Sequence, residues 1–217
     1  MWAVYRQPGT LPTFRLLGSE LATTRPEPNR DRYNPLSMTV LSANEVNDQQ
    51  LDWTILRDGG VALYCKPEIL TQDLNWLESK GYGIVSFEAG EWSCEEQMHL
   101  ELKSALSFPD YYGRNLDALN ECICEDLVVP DEGGLVLVFR SYDRFASAVQ
   151  LDIRAGGRSF AEIVLHVLAH AVRFHMLFGR RLLIIVQSGN PRIRFDNLAP
   201  VFADWNPREW FDKNRDL

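Results

Sequence analysis

Short apolar runs alternate with amphipathic segments between residues 58 and 187. Apolar runs predict strands at residues 61–64, 84–87, 135–139 and 182–186. The last two lack polar residues, which is typical of strands buried on both faces. Between the runs, apolar residues recur every three or four positions and predict helices at about 67–80, 95–106, 116–127 and 162–178. Strands that alternate with helices predict an α/β fold with a small parallel β-sheet covered by helices.

Several polar residues mark where these helices begin. Pro67 suits the first helical position. The segments Ser93–Glu96 and Ser159–Glu162 match the capping-box pattern, in which a serine and a glutamate satisfy the first backbone N–H groups. Asn115 is a good N-cap for the helix that starts at Leu116. These signals fix the predicted helix starts independently of the apolar periodicity.

The chain divides into three predicted regions. Residues 1–57 form an N-terminal extension of strand and loop, with short strands predicted at residues 2–5 and 13–17 and a proline-rich linker at residues 25–35. Residues 58–187 form the α/β domain. Residues 188–217 form a C-terminal extension that we expect to pack on the domain, because its large aromatic side chains are unusual for a disordered tail: Phe195, Phe202, Trp205, Trp210 and Phe211.

The composition indicates a cytoplasmic protein. Four cysteines in 217 residues are too few for a disulfide framework, and Cys122 and Cys124 have neither zinc nor redox spacing. No apolar run reaches the roughly 18 residues that a membrane span needs. Residues 1–8 also lack the basic and apolar regions of a signal peptide. We therefore expect no membrane partner, no metal and no cofactor.

The negative charge is concentrated in one segment. The net charge of −8 argues against direct nucleic-acid binding. Residues 91–132 contain eleven acidic and two basic residues, whereas the other residues carry 20 basic and 19 acidic groups. Such a segment is either a pair of solvated helix faces or a surface for a cationic partner. The charge alone leaves both interpretations open.

The candidate binding surface lies at residues 109–125. Gly113 is expected to permit a backbone turn that other residues resist. After it, Leu116, Leu119, Cys122 and Ile123 form an apolar stripe, and Asp117, Glu121 and Glu125 recur every four residues on another face. Tyr111 and Tyr112 either extend this acidic face as contact residues or fill the edge of the core. Carboxylates beside tyrosines favour a partner rich in arginine and lysine.

The segment 109–123 resembles the signature of the barstar family, intracellular inhibitors of barnase-type ribonucleases. The order of elements from about residue 84 to residue 187 is also similar to that of the family, with an extra strand-helix unit before it. The resemblance implies a non-catalytic inhibitor whose acidic loop and helix block the basic active site by mimicking phosphates. The implied partner is a basic ribonuclease or a toxin nuclease domain.

The resemblance assigns the expected contact residues. Tyr111 and Asp117 match family contacts, and Glu121 takes the place of an aspartate that occupies the phosphate-binding centre. Asn120 replaces a common tryptophan, and His170 or Phe174 falls where the family has a glutamate. The predicted partner-binding residues are Tyr111, Tyr112, Gly113, Asn115, Asp117, Asn120, Glu121 and Glu125.

Other functions are also consistent with parts of this pattern. Asp117 and Glu121 could form an acid/base pair, although no phosphate loop, nucleophile elbow or zinc-protease motif accompanies them. His166 and His170 have chelating spacing, but their apolar neighbours favour packing roles. Within the binding class, the chain could be an immunity protein against a different toxin domain, or a general interaction module.

Overall fold

The computed structural model describes residues 50–150, 152–154, 157–195 and 203–217. The chain divides into two units, Met1–Pro35 and Leu36–Leu217, and every described residue belongs to the second. The strands predicted at residues 2–5 and 13–17 and the linker at residues 25–35 lie outside the described residues, as does Phe202.

A five-stranded parallel sheet forms the centre of the described region, in the order β2-β3-β4-β1-β5. The strands are β1 (Val61–Tyr64), β2 (Tyr82–Phe87), β3 (Gly134–Phe139), β4 (Leu182–Gln187) and β5 (Asp204–Trp205). All six residues of β3 are buried, as are five of the six in β4. The predicted α/β class with a parallel sheet is therefore confirmed, and β1 provides the predicted extra strand.

In the described residues, six α-helices accompany the sheet. They are α1 (Leu51–Arg57), α2 (Pro67–Ser79), α3 (Glu95–Ala105), α4 (Leu116–Glu125), α5 (Tyr142–Ala148) and α6 (Phe160–Leu177). Helix α6 packs on β4 and also contacts α4 and α5, whereas α2 packs on β1 and β2. Helix α4 therefore reaches the core mainly through α6. Helices α1 and α5 have only seven residues each, and the apolar periodicity did not reveal them.

The predicted start signals are found at three of the four helices, although all four helices begin within about two residues of the predicted position. Pro67 begins α2, Asn115 caps α4, and Ser159 forms a complete capping box with Glu162. The capping box predicted at Ser93 is wrong, because α3 begins at Glu95 with Cys94 as its N-cap residue. The backbone N–H and the hydroxyl of Ser93 instead donate to Oε1 of Gln97, which lies one residue beyond the predicted partner.

Helix α6 is the longest and most apolar helix of the described residues. Its 18 residues have a mean hydropathy of 1.3, so by length and composition alone it could cross a membrane. The helix passes this hydropathy test although it contains the charged residues Glu162 and Arg173. Of this segment, 56% is buried within the domain, and the core helix of a soluble protein passes the same test. Burial by the sheet and by α4 and α5 accounts for its apolar character.

Residues 203–217 contact the sheet beside β1 through strand pairing and hydrogen bonds. Strand β5 pairs with β1, and the wholly buried carboxylate of Glu209 accepts hydrogen bonds from the backbone N–H groups of Cys65 and Lys66. Asn206 donates to the same carboxylate at 2.6 Å. The Arg215 guanidinium stacks over Trp205, with its carbon 4.5 Å from the ring centroid. The side chains of Trp210 and Phe211 remain exposed.

Replacing Glu209 with alanine should destabilise the domain. The partly buried backbone N–H groups of Cys65 and Lys66 would lose their acceptor, so we expect the free energy of unfolding to fall by about 2–3 kcal/mol. Urea denaturation measures this change, and Glu132→Ala, at an exposed residue, should change stability by no more than about 0.5 kcal/mol. Equal stabilities for the two variants would show that Glu209 does not anchor the C-terminal residues.

Candidate functional site

Helix α4 presents an acidic row to solvent. Leu119, Cys122 and Ile123 are buried, and Leu116 is half-buried, as the apolar stripe predicts. The opposite face carries Asp117, Glu121 and Glu125, which are all exposed. We call these three residues the acidic row. Because the stripe is fixed against the core, the spacing of the row holds all three carboxylates on one accessible face.

The two basic residues of the acidic segment pair with carboxylates outside the acidic row. Lys103 Nζ lies 3.5 Å from Asp110, and Arg114 Nη1 lies 3.3 Å from Glu96. Both pairs are at the protein surface, where an ion pair contributes about 0–1 kcal/mol. Their main consequence is electrostatic. The cations nearest in sequence are directed to the margins of the surface, so the row keeps a negative potential.

The binding loop, defined as residues 107–115, is fixed to the domain at both ends. Backbone hydrogen bonds run from the N–H of Phe108 to the carbonyl of Lys103 and from the N–H of Tyr112 to the carbonyl of Pro109, each at 3.0 Å. Asn115 Oδ1 accepts the N–H of Ala118 at 2.8 Å, which satisfies one of the first donors of α4. The N-cap therefore sets the position of Asp117 relative to the loop.

The prediction that Gly113 provides the unusual backbone conformation of the loop is wrong. The left-handed residues of the loop are Ser107, with φ of 55°, and Arg114, with φ of 50°, rather than Gly113. A Cβ atom at Gly113 would instead lie 3.1 Å from Nδ2 of Asn115. The glycine therefore leaves room for the capping side chain. The sequence pointed to Gly113, one position before Arg114, because arginine rarely adopts positive φ.

The two adjacent tyrosines point in opposite directions. Tyr111 is 67% exposed, and its hydroxyl donates to Oδ2 of Asp126 at 2.6 Å. This hydrogen bond raises the pKa of Tyr111 to about 12. Tyr112 is only 4% exposed and packs on Phe108, with ring centroids 5.0 Å apart. Tyr111 can therefore contact a partner, whereas the side chain of Tyr112 belongs to the core beneath the loop.

A partly buried polar network, which sequence reasoning missed, reaches the binding loop. The wholly buried His99 of α3 has its Nδ1 atom 2.5 Å from the Tyr112 hydroxyl and its Nε2 atom 3.3 Å from Oε1 of Glu95. Oε2 of Glu95 accepts from Arg154 at 2.8 Å. Burial lowers the pKa of His99, which favours a neutral ring near neutral pH. The i, i+4 spacing of Glu95 and His99 was the only signal in the sequence.

Two histidines of α6 contact α4. Nδ1 of His170 lies 3.0 Å from Oδ1 of Asn120, and Nε2 of the buried His175 donates to the carbonyl of Ile123 at 2.8 Å. Burial lowers the pKa of His175 as well. His170 is exposed beside Asn120, whereas Phe174 is half-buried against Phe178. Of the two candidates for the position of the family glutamate, His170 is therefore the one that borders the surface of α4.

The described residues contain no cluster of three or more His, Cys, Asp and Glu side chains that could hold a metal ion. Cys124 Sγ lies 3.7 Å from Nδ1 of His170. Burial raises the pKa of Cys124 to about 11, and burial together with Asp126 raises that of Cys122 to about 12. Both groups are therefore thiols near neutral pH, which makes them poor nucleophiles and poor metal ligands.

The stability of the protein should fall as the pH is lowered below about 6.5. His99 and His175 have lowered pKa values in the folded protein, so the unfolded chain binds protons that the folded chain does not. Urea denaturation between about pH 8 and about pH 5.5 measures the decrease. His99→Gln combined with His175→Gln should flatten the profile. A wild-type profile that is already flat over this range would contradict neutral buried histidines.

Comparison with known proteins covers the region that contains this site. Residues 82–179, from the start of β2 to the residues just after α6, match the family model described as Barstar (barnase inhibitor). Over 48 residues the chain is 46% identical to a Bacillus subtilis (strain 168) protein named "Putative ribonuclease inhibitor YrdF". The alignment covers 22% of this chain and 48% of that relative, so the chain spans about half the relative's length. The resemblance to the barstar family is thus confirmed, and residues 82–179 are the barstar-like part of this chain.

Proposed function

We propose that the protein inhibits a ribonuclease by inserting the acidic row and the exposed part of the binding loop into the basic active site of the enzyme. The observation that carries this proposal is the exposure of Asp117, Glu121 and Glu125 on one face of a helix within the barstar-like region. The carboxylates would occupy the positions of substrate phosphates. The inhibitor itself performs no chemistry and acts in the cytoplasm.

The electrostatics of the site support a cationic partner. Like charges four residues apart destabilise a helix by about 0.2–0.5 kcal/mol per pair, so the row has a cost in the free protein. A nuclease that binds RNA presents lysine and arginine side chains that would remove this repulsion. Long-range attraction between the two surfaces would also accelerate association, an effect for which the barnase–barstar pair is the standard example.

The shape of the loop supports the same partner. Tyr111 offers a largely exposed ring, and its hydroxyl is held by Asp126. A tyrosine that is already oriented loses little conformational entropy on binding. Asn115 and Gly113 are exposed beside it and expose backbone groups of the loop. We therefore propose that the partner contacts Tyr111 and the loop backbone while its basic residues meet Asp117 and Glu121.

A second candidate is an inhibitor of a different nuclease toxin. Asn120 and His170 face each other across α4 and α6, at positions where the barstar resemblance leads us to expect a tryptophan and a glutamate. The neutral amide of Asn120 lacks the large apolar surface of tryptophan, and His170 lacks a fixed negative charge. Changed polar groups at an interface alter partner choice more readily than fold. The cognate enzyme would then differ from a typical barnase near these two residues.

Neutralising the acidic row should abolish tight inhibition. Asp117→Ala and Glu121→Ala should each weaken binding by about 2–5 kcal/mol, because each would leave a cation of the enzyme unpaired in the complex. The effect is measured by titrating a barnase-type ribonuclease with the protein and monitoring RNA cleavage at two salt concentrations. Inhibition by the wild type should be stoichiometric and should weaken as salt screens the charges.

The matched control is Glu68→Ala, which removes an exposed carboxylate from the first turn of α2, outside the barstar-like region. This variant should inhibit as well as the wild type. Full inhibition by the Asp117→Ala/Glu121→Ala double variant would contradict the proposed interface. If the wild type does not inhibit this enzyme, but captures another basic nuclease in a manner that requires Glu121, the second candidate is favoured.

A further inference from the structure

A continuous polar network joins the binding loop to two other parts of the domain. Its members are Tyr112 in the loop, His99 and Glu95 in α3, and Arg154 and Asp152 in the segment before α6. We call these five residues the His99 network. Arg154 donates to both carboxylates, with Nε 2.6 Å from Asp152 and Nη2 2.8 Å from Glu95. Its guanidinium also lies 5.0 Å from the ring centroid of Phe160.

The hydrogen-bonding partners determine the protonation of the His99 ring. A carboxylate can only accept, so Nε2 must carry the hydrogen that faces Glu95. A neutral imidazole has one hydrogen, which leaves Nδ1 as an acceptor for the Tyr112 hydroxyl. The ring therefore connects a donor in the loop to an acceptor in α3. The opposite tautomer would leave Nε2 without a hydrogen for Glu95.

We propose that His99 is a positioning residue for partner binding: its Nδ1 atom holds Tyr112, and thereby the binding loop, in the conformation that a nuclease recognises. This inference rests on the proposed function and extends it to a residue that the partner would not touch. His99 is wholly buried, whereas Tyr111, adjacent to Tyr112, is the exposed contact. The loop carries two non-glycine residues at positive φ, which need support from their surroundings.

The network also explains why a single hydroxyl can matter for affinity. Tyr112 is the buried side chain between Asp110 and Gly113, so its orientation controls the path of the backbone that carries Tyr111 to the surface. A loop held before binding loses less conformational entropy when the complex forms. Without the hydroxyl, the aromatic ring still packs on Phe108, so the domain stays folded while the loop becomes less ordered.

Tyr112→Phe tests the proposal, with Tyr82→Phe as its matched control. Both variants remove one hydroxyl from a tyrosine that is at least 96% buried, since the side chains are 4% and 3% exposed, and Tyr82 donates to Asp52 at 2.8 Å, outside the binding loop. We expect Tyr112→Phe to weaken binding to a barnase-type ribonuclease about tenfold, and Tyr82→Phe to leave the affinity unchanged at a comparable loss of stability. In the Tyr112→Phe background, His99→Gln should have little further effect on affinity.

Two measurements on the free protein separate this inference from the proposed function. Amide hydrogen exchange of the binding loop should accelerate in Tyr112→Phe and not in Tyr82→Phe. Nitrogen NMR of the wild-type ring should show a protonated Nε2 and an unprotonated Nδ1 in His99. Unchanged loop exchange, or the opposite tautomer, would overturn the positioning role whether or not a nuclease binds. A wild type that binds no ribonuclease would contradict the proposed function while these two results still decide the inference.

Discussion

Burial of β3 and β4 is the constraint on which the rest of the structure depends. All six residues of β3 and five of the six in β4 are inaccessible, so helices must cover the sheet at its centre. Helix α6 covers β4 and thereby becomes the support for α4. Helix α4 packs mainly on α6, and its apolar stripe is largely buried. The remaining face of α4 can therefore carry Asp117, Glu121 and Glu125 without disturbing the core.

This arrangement separates stability from recognition. The residues that fix α4 in place are Leu119, Cys122, Ile123 and the two histidines of α6 that bond to it. The residues that would meet a partner make little contribution to burial. A substitution in the acidic row should therefore leave the fold intact. Replacement of His175, by contrast, would remove the hydrogen-bond donor of the Ile123 carbonyl. Such a division allows related proteins to change partners while they keep the same scaffold.

The sequence predicts the sheet and the long helices well because their signals are strong and local. The apolar runs at residues 135–139 and 182–186 fit buried strands, and the Ser159 capping box marks the start of α6 to within two residues. Strand β5 and helices α1 and α5 were missed because two or seven residues do not establish a period. Residues Asp204 and Trp205 become a strand only because β1 offers an open edge, which is information carried by the tertiary structure.

The candidate site was predicted in its exposed part and missed in its buried part. The spacing of the acidic row identifies its face on α4, but a loop has no period that could tell which of Tyr111 and Tyr112 faces inward. The same limit applies to Gly113 and Arg114, where the residue that adopts positive φ is the one whose type disfavours it. Glu209 gave no signal, since an isolated glutamate near an aromatic tail is ordinarily exposed.

The two buried histidines that hydrogen-bond to α4 and to the binding loop leave the charge of the acidic surface unchanged near neutral pH. A lysine or arginine at position 175 could also donate a hydrogen bond to the carbonyl of Ile123, and its positive charge would attract the carboxylates of α4. Such a cation would also cancel part of the negative potential of the acidic row. Burial lowers the pKa of both His99 and His175, so each contributes hydrogen bonds without charge near neutral pH. The scaffold thus holds the acidic row in place without neutralising its negative potential.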